Sequence, residues 1–492
     1  MSPINLTKSL YIQYLKCPTS MWLKKHAPEE LPQPSEHAQF IMNQGIEFEE
    51  LVRTTYVDGV HIESCGEEAV RDTKKAIANG AKIIFQATAI IDGYHVKADI
   101  FVREKDGTWS IHEVKSSTEL KDEYVDDIAF QKMVFEKAGY AVSKTFLICV
   151  QRDYVRDGDI EAKKLKKEIE TTDTVEEIVL ETEKRAKKAK RILNMDIRPD
   201  REECPCQASP SDTTYEGCQC PKYCYPDLSP CSPFHITGIN TKKARQLYED
   251  GINDVSQCHS GDFAERQAIA IEVESSFKPH INKKELRALL EGLAFPLFYL
   301  DYETSGSVIP LLNGYRPYED IIFQFSLHIQ PEPQRKVKHI EFLWEKLSDP
   351  TVALSTSLQE NIGPKGTIIV WHKGFECGKN MQMGEHCPQF ADFYADINRR
   401  TFDLKDVVKD SLCVYPGFKG SASLKDVLPI MLPELSYNDL EIQEGTLASL
   451  KWYQMVTGQV DKKQTKENLL KYCERDTWAM VKLYEKFLEV CQ

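Results

Sequence analysis

Asp99 lies in the middle of Val96-Lys-Ala-Asp-Ile-Phe-Val, among residues suited to a half-buried strand. Glu113 and Lys115 stand two apart in His112-Glu-Val-Lys-Ser, so on a strand they project from one face. If the two strands pair, Asp99, Glu113 and Lys115 converge. Two carboxylates suit a hard divalent cation such as Mg²⁺ or Mn²⁺. A lysine beside them would position a metal-activated water or steady the charge of a phosphorane. The same spacing also fits a solvated ladder of Glu and Lys on an exposed strand. Gln131 downstream and Glu49 upstream, in Gln44-Gly-Ile-Glu-Phe-Glu-Glu, weigh toward a site.

A second set of acids comes later. Leu297-Phe-Tyr-Leu-Asp-Tyr-Glu-Thr puts Asp301 and Glu303 on one strand face after an apolar lead. Ile368-Ile-Val-Trp-His-Lys-Gly-Phe-Glu ends a strand with Glu376, and Tyr472-Cys-Glu-Arg-Asp places Tyr472 one helical turn before Asp476. Four acids from three elements can assemble a two-metal site, with Tyr472 orienting the attacking water. Each pair alone is common on strand ends and amphipathic helices, whereas the ordered set is much rarer. Asp403 reads as structural. Ser421, Ser423 and Lys425 suit either a phosphate contact or a capped helix start.

Of the 15 cysteines, Cys204, Cys206, Cys218, Cys220, Cys224 and Cys231 crowd into one segment rich in Pro, Ser and Asp. That composition builds no apolar core and reads as a loop organised by metal. A Zn²⁺ site made from this segment alone is one solution.

The residues Gly45, Glu49, Asp99, Glu113-Val-Lys115 and Gln131 resemble the PD-(D/E)XK core of RecB-like nucleases, including those of CRISPR adaptation. The resemblance implies Glu49, Asp99 and Glu113 as metal ligands, Lys115 as catalytic and Gln131 as part of a DNA-contacting Gln-x-x-x-Tyr motif. Phe135 stands where that motif has Tyr, and Glu49 where many relatives have His. Iron–sulfur members of the group take one cluster cysteine before the core and three after it. By that resemblance Cys17, Cys206, Cys218 and Cys224 would hold a 4Fe-4S cluster, clamping the two ends of the domain together.

Asp301, Glu303, Glu376, Tyr472 and Asp476 resemble the DEDD exonucleases of the RNase H-like fold, DnaQ and RNase D among them, with Glu376 in place of the usual Asp. Residues 297–490 are also similar to a bacterial domain of unknown function found fused behind RecB-like nuclease domains. Phe323-Gln-Phe-Ser-Leu-His-Ile and Gly420-Ser-Ala-Ser-Leu-Lys-Asp-Val-Leu-Pro carry that likeness as well.

These residues need elements to hold them. Lys82 to Ser116 reads as a three-stranded meander with turns at Asp92-Gly93 and Asp106-Gly107. A helix is expected over Tyr124–Ala138, a buried strand at Phe146–Val150, and a charged helix from about Ile160 to Leu193. Its basic run, Lys184 to Arg191, serves equally as a solvated face or a DNA backbone contact. Strands are expected at Leu297–Glu303, Ile321–Gln330, His339–Trp344 and Thr367–His372. The class is α/β: a PD-(D/E)XK restriction-endonuclease-like domain over 1–232 and an RNase H-like domain over 291–492. A helical connector over 233–290 would join them, with a weak helix-hairpin-helix cadence at Ile236-Thr-Gly-Ile-Asn.

At 492 residues there is room for two to four domains. Hydrophobic residues at 41% and charged residues at 28% exclude a disordered chain. The net charge of −14 excludes a generally basic nucleic-acid binder, so any such contact must be local. No apolar stretch suits a membrane span and the first residues lack a signal-peptide pattern, so a cytoplasmic location is expected. The function expected is a Mg²⁺- or Mn²⁺-dependent nuclease, acting on single-stranded or end-containing DNA, with a 3′→5′ exonuclease-like second site. RNA trimming with the first domain as a platform is the alternative within enzymes. A non-catalytic nucleic-acid-binding scaffold is the alternative outside them.

Overall fold

The computed structural model describes residues 4–200 and 217–492. The protein is mixed α/β and divides into two compact units. One holds residues 1–226 with 307–319, the other 227–306 with 320–492. The segment 233–290, expected as a helical connector, is grouped with the second unit. Its helices Thr241–Glu249, Glu265–Ser276 and Lys283–Glu291 belong to the second unit, and the Ile236–Asn240 cadence forms a turn at Gly238 (φ 64°). Conversely, residues 307–319 join the first unit. There the Val308 amide donates to Gln44 Oε1 at 2.8 Å, and Arg156 donates to the Pro310 and Leu311 carbonyls.

In the first unit, strands Ile83–Ile91, Tyr94–Arg103 and Trp109–Val114 form the meander, each antiparallel to the next. Asp92 (φ 50°) and Gly93 (φ 73°) both take the left-handed conformation that a two-residue hairpin demands. Val142–Val150 then adds parallel to Trp109–Val114, after the crossover helix Asp122–Lys137. The helix expected from Ile160 onward is broken. Lys166–Glu170 is an antiparallel edge strand on Val142–Val150, and only Thr172–Leu193 is the long helix. Lys166-Lys-Glu-Ile-Glu carries enough charge to read as a helix surface, yet charge is also what an exposed edge strand needs. In the basic run, Lys184, Arg185 and Lys187 pair with Glu181, Asp126 and Glu183, and Ala186 and Ala189 are buried.

The second unit is built on a five-stranded sheet in the order Lys338–Leu343, Ile321–Gln330, Leu297–Ser305, Thr367–Val370, Thr401–Asp403. The first two pairings are antiparallel and the last two parallel. The central strand Leu297–Ser305 is buried on both faces. Phe298, Leu300 and Tyr302 face an apolar core shared with helices Thr351–Asn361, Lys373–His386 and Ala391–Arg400. By period-two alternation Tyr299, Asp301 and Glu303 face the other way, and Tyr299 meets Tyr484 of the long helix Lys462–Val490. The strand thus aims two carboxylates at a helix instead of at water. No helix among the described residues is long and apolar enough to cross a membrane.

Candidate functional site

The first acid cluster forms where the meander meets two helices. Val114 donates its N–H to Asp99 Oδ2 at 2.9 Å, which locks that carboxylate across the hairpin. Glu113 is fully buried and accepts from Lys115 Nζ at 2.6 Å and from Gln131 Nε2 at 2.8 Å. Two partners were not anticipated. Lys8, at the start of helix Lys8–Lys16, lies 2.6 Å from Glu113 Oε1 and 3.7 Å from Asp99 Oδ1. Asp127, one turn before Gln131 on the same helix, accepts from Lys115 at 2.8 Å and from Gln131 at 3.0 Å. The i, i+4 spacing to Gln131 was a usable signal for Asp127. Nothing local marked Lys8.

Glu49 joins through Gln86, whose amide donates to Glu49 Oε1 at 2.6 Å and stands 3.5 Å from Asp99 Oδ1. Gln86 holds φ 58° inside its strand, uncommon for a residue with a Cβ and frequent where a site needs a side chain re-aimed. Glu49 also pairs with Arg53 on its own helix. Gln131 is completely buried and donates both amide hydrogens inside the cluster, where it braces the acids. Phe135 lies in the apolar core, stacked on Phe101 at 4.5 Å.

The electrostatics of this cluster are nearly self-contained. Burial opposes ionisation of Glu113, but Lys115 and Lys8 overcome it and hold the carboxyl below its usual range. Asp99 receives less help. Burial and the neighbouring Glu113 charge push it up to about 7. Both ammonium partners of Glu113 meet its Oε1, so this carboxylate is already compensated without an ion. Lys8→Met is expected to destabilise the protein by about 2–4 kcal/mol, since it strips a counter-charge from a buried carboxylate. Urea unfolding at neutral pH checks this, with a lower midpoint as the expected outcome.

The second cluster is arranged differently. Asp301, Glu303 and Cys473 each bring a ligand atom to within 4.8 Å of the others. Cys473 Sγ lies 3.7 Å from Asp301 Oδ2, and Glu303 is 6% exposed. Asp476 sits at 7% exposure on the long helix, where the Tyr437 hydroxyl donates to it and nearby Tyr472 also favours its charged form. Glu376 occupies the first turn of helix Lys373–His386 at 3% exposure, and its Oε2 has no hydrogen-bond partner. His372 Nδ1 accepts from Phe375 N–H and caps that helix. Asp403 accepts from the Lys373 and Lys405 amides, the structural role expected of it.

No side-chain cation pairs with any of these four acids among the described residues. Lys425, 5.8 and 5.6 Å from the Tyr437 and Tyr472 ring centres, acts on the cluster from a distance. Arg475 acts on Asp476 but is already paired with Asp439 at 2.9 Å. Burial, then mutual repulsion, drives Asp301, Glu303 and Glu376 well above the carboxylate range. Burial raises Asp476 to about 6, against the opposing pull of Tyr437 and Lys425. Asp301 and Glu303, close enough to share an ion, with an orphaned Glu376 oxygen and no paired cation among the described residues, fit a divalent cation such as Mg²⁺ or Mn²⁺. Tyr437 and Cys473 escaped sequence reading, the first because its loop carries no motif, the second because a lone cysteine on a helix resembles any core thiol.

The cysteine segment is described only in part. Cys204 and Cys206 lie outside the described residues. Cys17, Cys218, Cys220 and Cys224 are all buried, and Cys220, not singled out from the spacing, meets Cys17 Sγ to Sγ at 3.6 Å. Cys231 belongs to the second unit, and Cys218, Cys220 and Cys224 belong to the first.

Comparison with known proteins places one stretch of this architecture. Residues 298–423 match a family described as Domain of unknown function (DUF2779). The match contains Asp301, Glu303 and Glu376 and stops before Tyr437, Tyr472 and Asp476. The chain is similar to the uncharacterized protein MG366 of Mycoplasma genitalium, 23% identical over 265 residues, covering 50% of this chain and 38% of that protein. It is also similar to the uncharacterized protein UU173 of Ureaplasma parvum, 24% identical over 208 residues, covering 37% of this chain and 30% of the relative. The chain thus spans well under half the length of the curated relatives it matches.

Proposed function

We propose that this protein is a divalent-metal-dependent nuclease, with the Asp301–Glu303–Glu376–Asp476 cluster as its reaction centre. The observation that carries this reading is the burial of four acids from three elements without a paired cation among the described residues. Such a group is costly to keep unless a cation or substrate charge completes it. A bound Mg²⁺ or Mn²⁺ would supply Lewis acidity and an activated water there. The chain's own residues do the rest. Asp301, Glu303, Glu376 and Asp476 hold the ion, while the Tyr437 hydroxyl fixes Asp476 in one orientation. Lys425 presents positive charge toward the place where a phosphate oxygen would enter.

In this reading the second unit is an RNase H-like exonuclease module, and the first is a PD-(D/E)XK, RecB-like module carrying a thiolate-bound cluster. DNA is the favoured substrate on the strength of the RecB-like residues. The lysine-filled first cluster favours a division of labour in which the second unit cuts and the first serves as a platform. That division also leaves room for RNA as the strand being trimmed.

The test is cleavage of 5′-labelled single-stranded DNA and RNA of one sequence with Mn²⁺, by wild type, Asp301→Ala and Glu113→Ala. The expected result is a ladder shortened from the 3′ end, stronger on DNA, lost with Asp301→Ala and kept with Glu113→Ala. Absence of cleavage of either strand by the wild-type protein would leave a binding scaffold as the better account.

A further inference from the structure

The sheet that carries Asp301 and Glu303 also positions a separate group of nitrogen ligands. His328 and His339 are directly opposed on the antiparallel strands Ile321–Gln330 and Lys338–Leu343. Opposed residues put their side chains on one sheet face, and these two rings stack with centroids 4.3 Å apart. The long helix covers that face and offers Glu474 and Thr477, three residues apart and therefore neighbours on its surface.

Behind the rings runs a chain of hydroxyls. Thr477 Oγ1 lies 2.8 Å from His328 Nδ1 and 2.7 Å from Ser326 Oγ, and Ser326 Oγ lies 2.9 Å from His339 Nε2. One proton assignment satisfies every link. Each imidazole donates its N–H backward, Ser326 donates to Thr477, and Thr477 donates to the Glu474 carbonyl at 3.2 Å. Both rings then present a lone pair forward, from His328 Nε2 and His339 Nδ1. In front, Glu474 Oε1 stands 3.6 Å from His339 Nδ1, and one ligand atom from each of the three residues lies within 4.8 Å of the others. Glu474 is half exposed and free to rotate inward, and all three residues line a cavity of about 1040 Å³.

We propose that His328, His339 and Glu474 form a binding site for a Zn²⁺-class divalent cation, distinct from the all-oxygen acid cluster. Two imidazole nitrogens and one carboxylate oxygen form a donor set that selects such ions over Mg²⁺. Hydroxyls that fix the far nitrogen of each ring orient imidazoles for metal. The cavity leaves the remaining coordination positions open to water or a small anionic ligand. The proposal stands independently of nuclease activity.

The experiment is a Zn²⁺ titration of the metal-stripped full chain against a chromophoric chelator, with excess Mg²⁺ present throughout. Any Zn²⁺ taken up by the cysteines is common to every variant, so the difference from wild type is the readout. His339→Gln is expected to lose one Zn²⁺ equivalent, and Glu474→Gln, at a half-exposed position that folding does not need, to weaken the same equivalent about tenfold or more. Thr477→Val, which removes the hydroxyl behind His328 without touching a ligand atom, is expected to weaken it by a similar factor. If all three variants bind Zn²⁺ with wild-type stoichiometry and affinity, the proposal is wrong.

Discussion

Asp301→Asn is expected to reduce Mn²⁺-dependent strand cleavage by at least about 10²–10³-fold, and to raise the melting temperature of the metal-stripped protein. Both effects come from one cause. Asp301 is held among Glu303, Asp476 and the Cys473 thiol with no paired cation, so its charge is a burden on the empty fold and an asset once a cation is bound. Asparagine keeps the shape and removes the charge. The loss should appear in kcat with KM nearly unchanged, because the charge acts on the reacting phosphate and not on the rest of the strand. Tyr472→Phe should cost much less, since Tyr437 still donates to Asp476. Steady-state cleavage rates and calorimetric melting in EDTA, on the same preparations, check the pair of outcomes. A variant that is inactive but also less stable would point to a packing role for Asp301.

The metal-stripped protein is expected to lose stability as pH rises from about 4 to 8, and Mn²⁺ is expected to offset part of that loss. The sign follows from linkage. A carboxyl whose proton affinity is raised by folding binds its proton more tightly in the native state. Stability is therefore greatest while it is protonated and falls as pH climbs through its native value. Asp476, raised to about 6, contributes on the order of 3 kcal/mol of such loss, at about 1.4 kcal/mol per tenfold change in proton affinity. Asp99, raised to about 7, adds to it, while Glu113, held low by its lysines, contributes in the opposite direction only at acid pH. A cation bound to the four acids replaces the lost protons, and an ion at 100 times its Kd adds about 2.7 kcal/mol. Melting temperatures across that pH range, in EDTA and in Mn²⁺, give the comparison. Stability that increases toward pH 8 in EDTA would show that the acids are satisfied within the protein.

How much of this was legible depended on how local each signal was. The meander from Lys82 to Ser116 announced itself, because alternation and the Asp-Gly turns act over a few residues. So did Asp301 with Glu303, and Tyr472 with Asp476, whose spacing alone puts each pair on one face. The edge strand Lys166–Glu170 was hidden, because its identity comes from pairing with Val142–Val150 and not from its own charged residues. Lys8 and Tyr437 were hidden for a similar reason. Each reaches its cluster from a distant segment, and neither Leu6-Thr-Lys nor Leu435-Ser-Tyr carries a pattern. The partners of Gln131 were hidden as well, since only packing reveals that its amide donates to Glu113 and Asp127. Cys220 at Cys17 was one of several equivalent choices along a segment whose cysteines outnumber any single site.

Counting the Mn²⁺ ions bound by the EDTA-stripped protein tests the central claim most directly. The loss of the free-ion electron paramagnetic resonance signal, at a pH well above the Asp476 value of about 6, reports the number. Wild type should bind Mn²⁺, Asp301→Asn and Asp476→Asn should lose that binding, and Glu113→Gln should keep it. Binding that survives Asp301→Asn, or that disappears only with Glu113→Gln, would contradict the account.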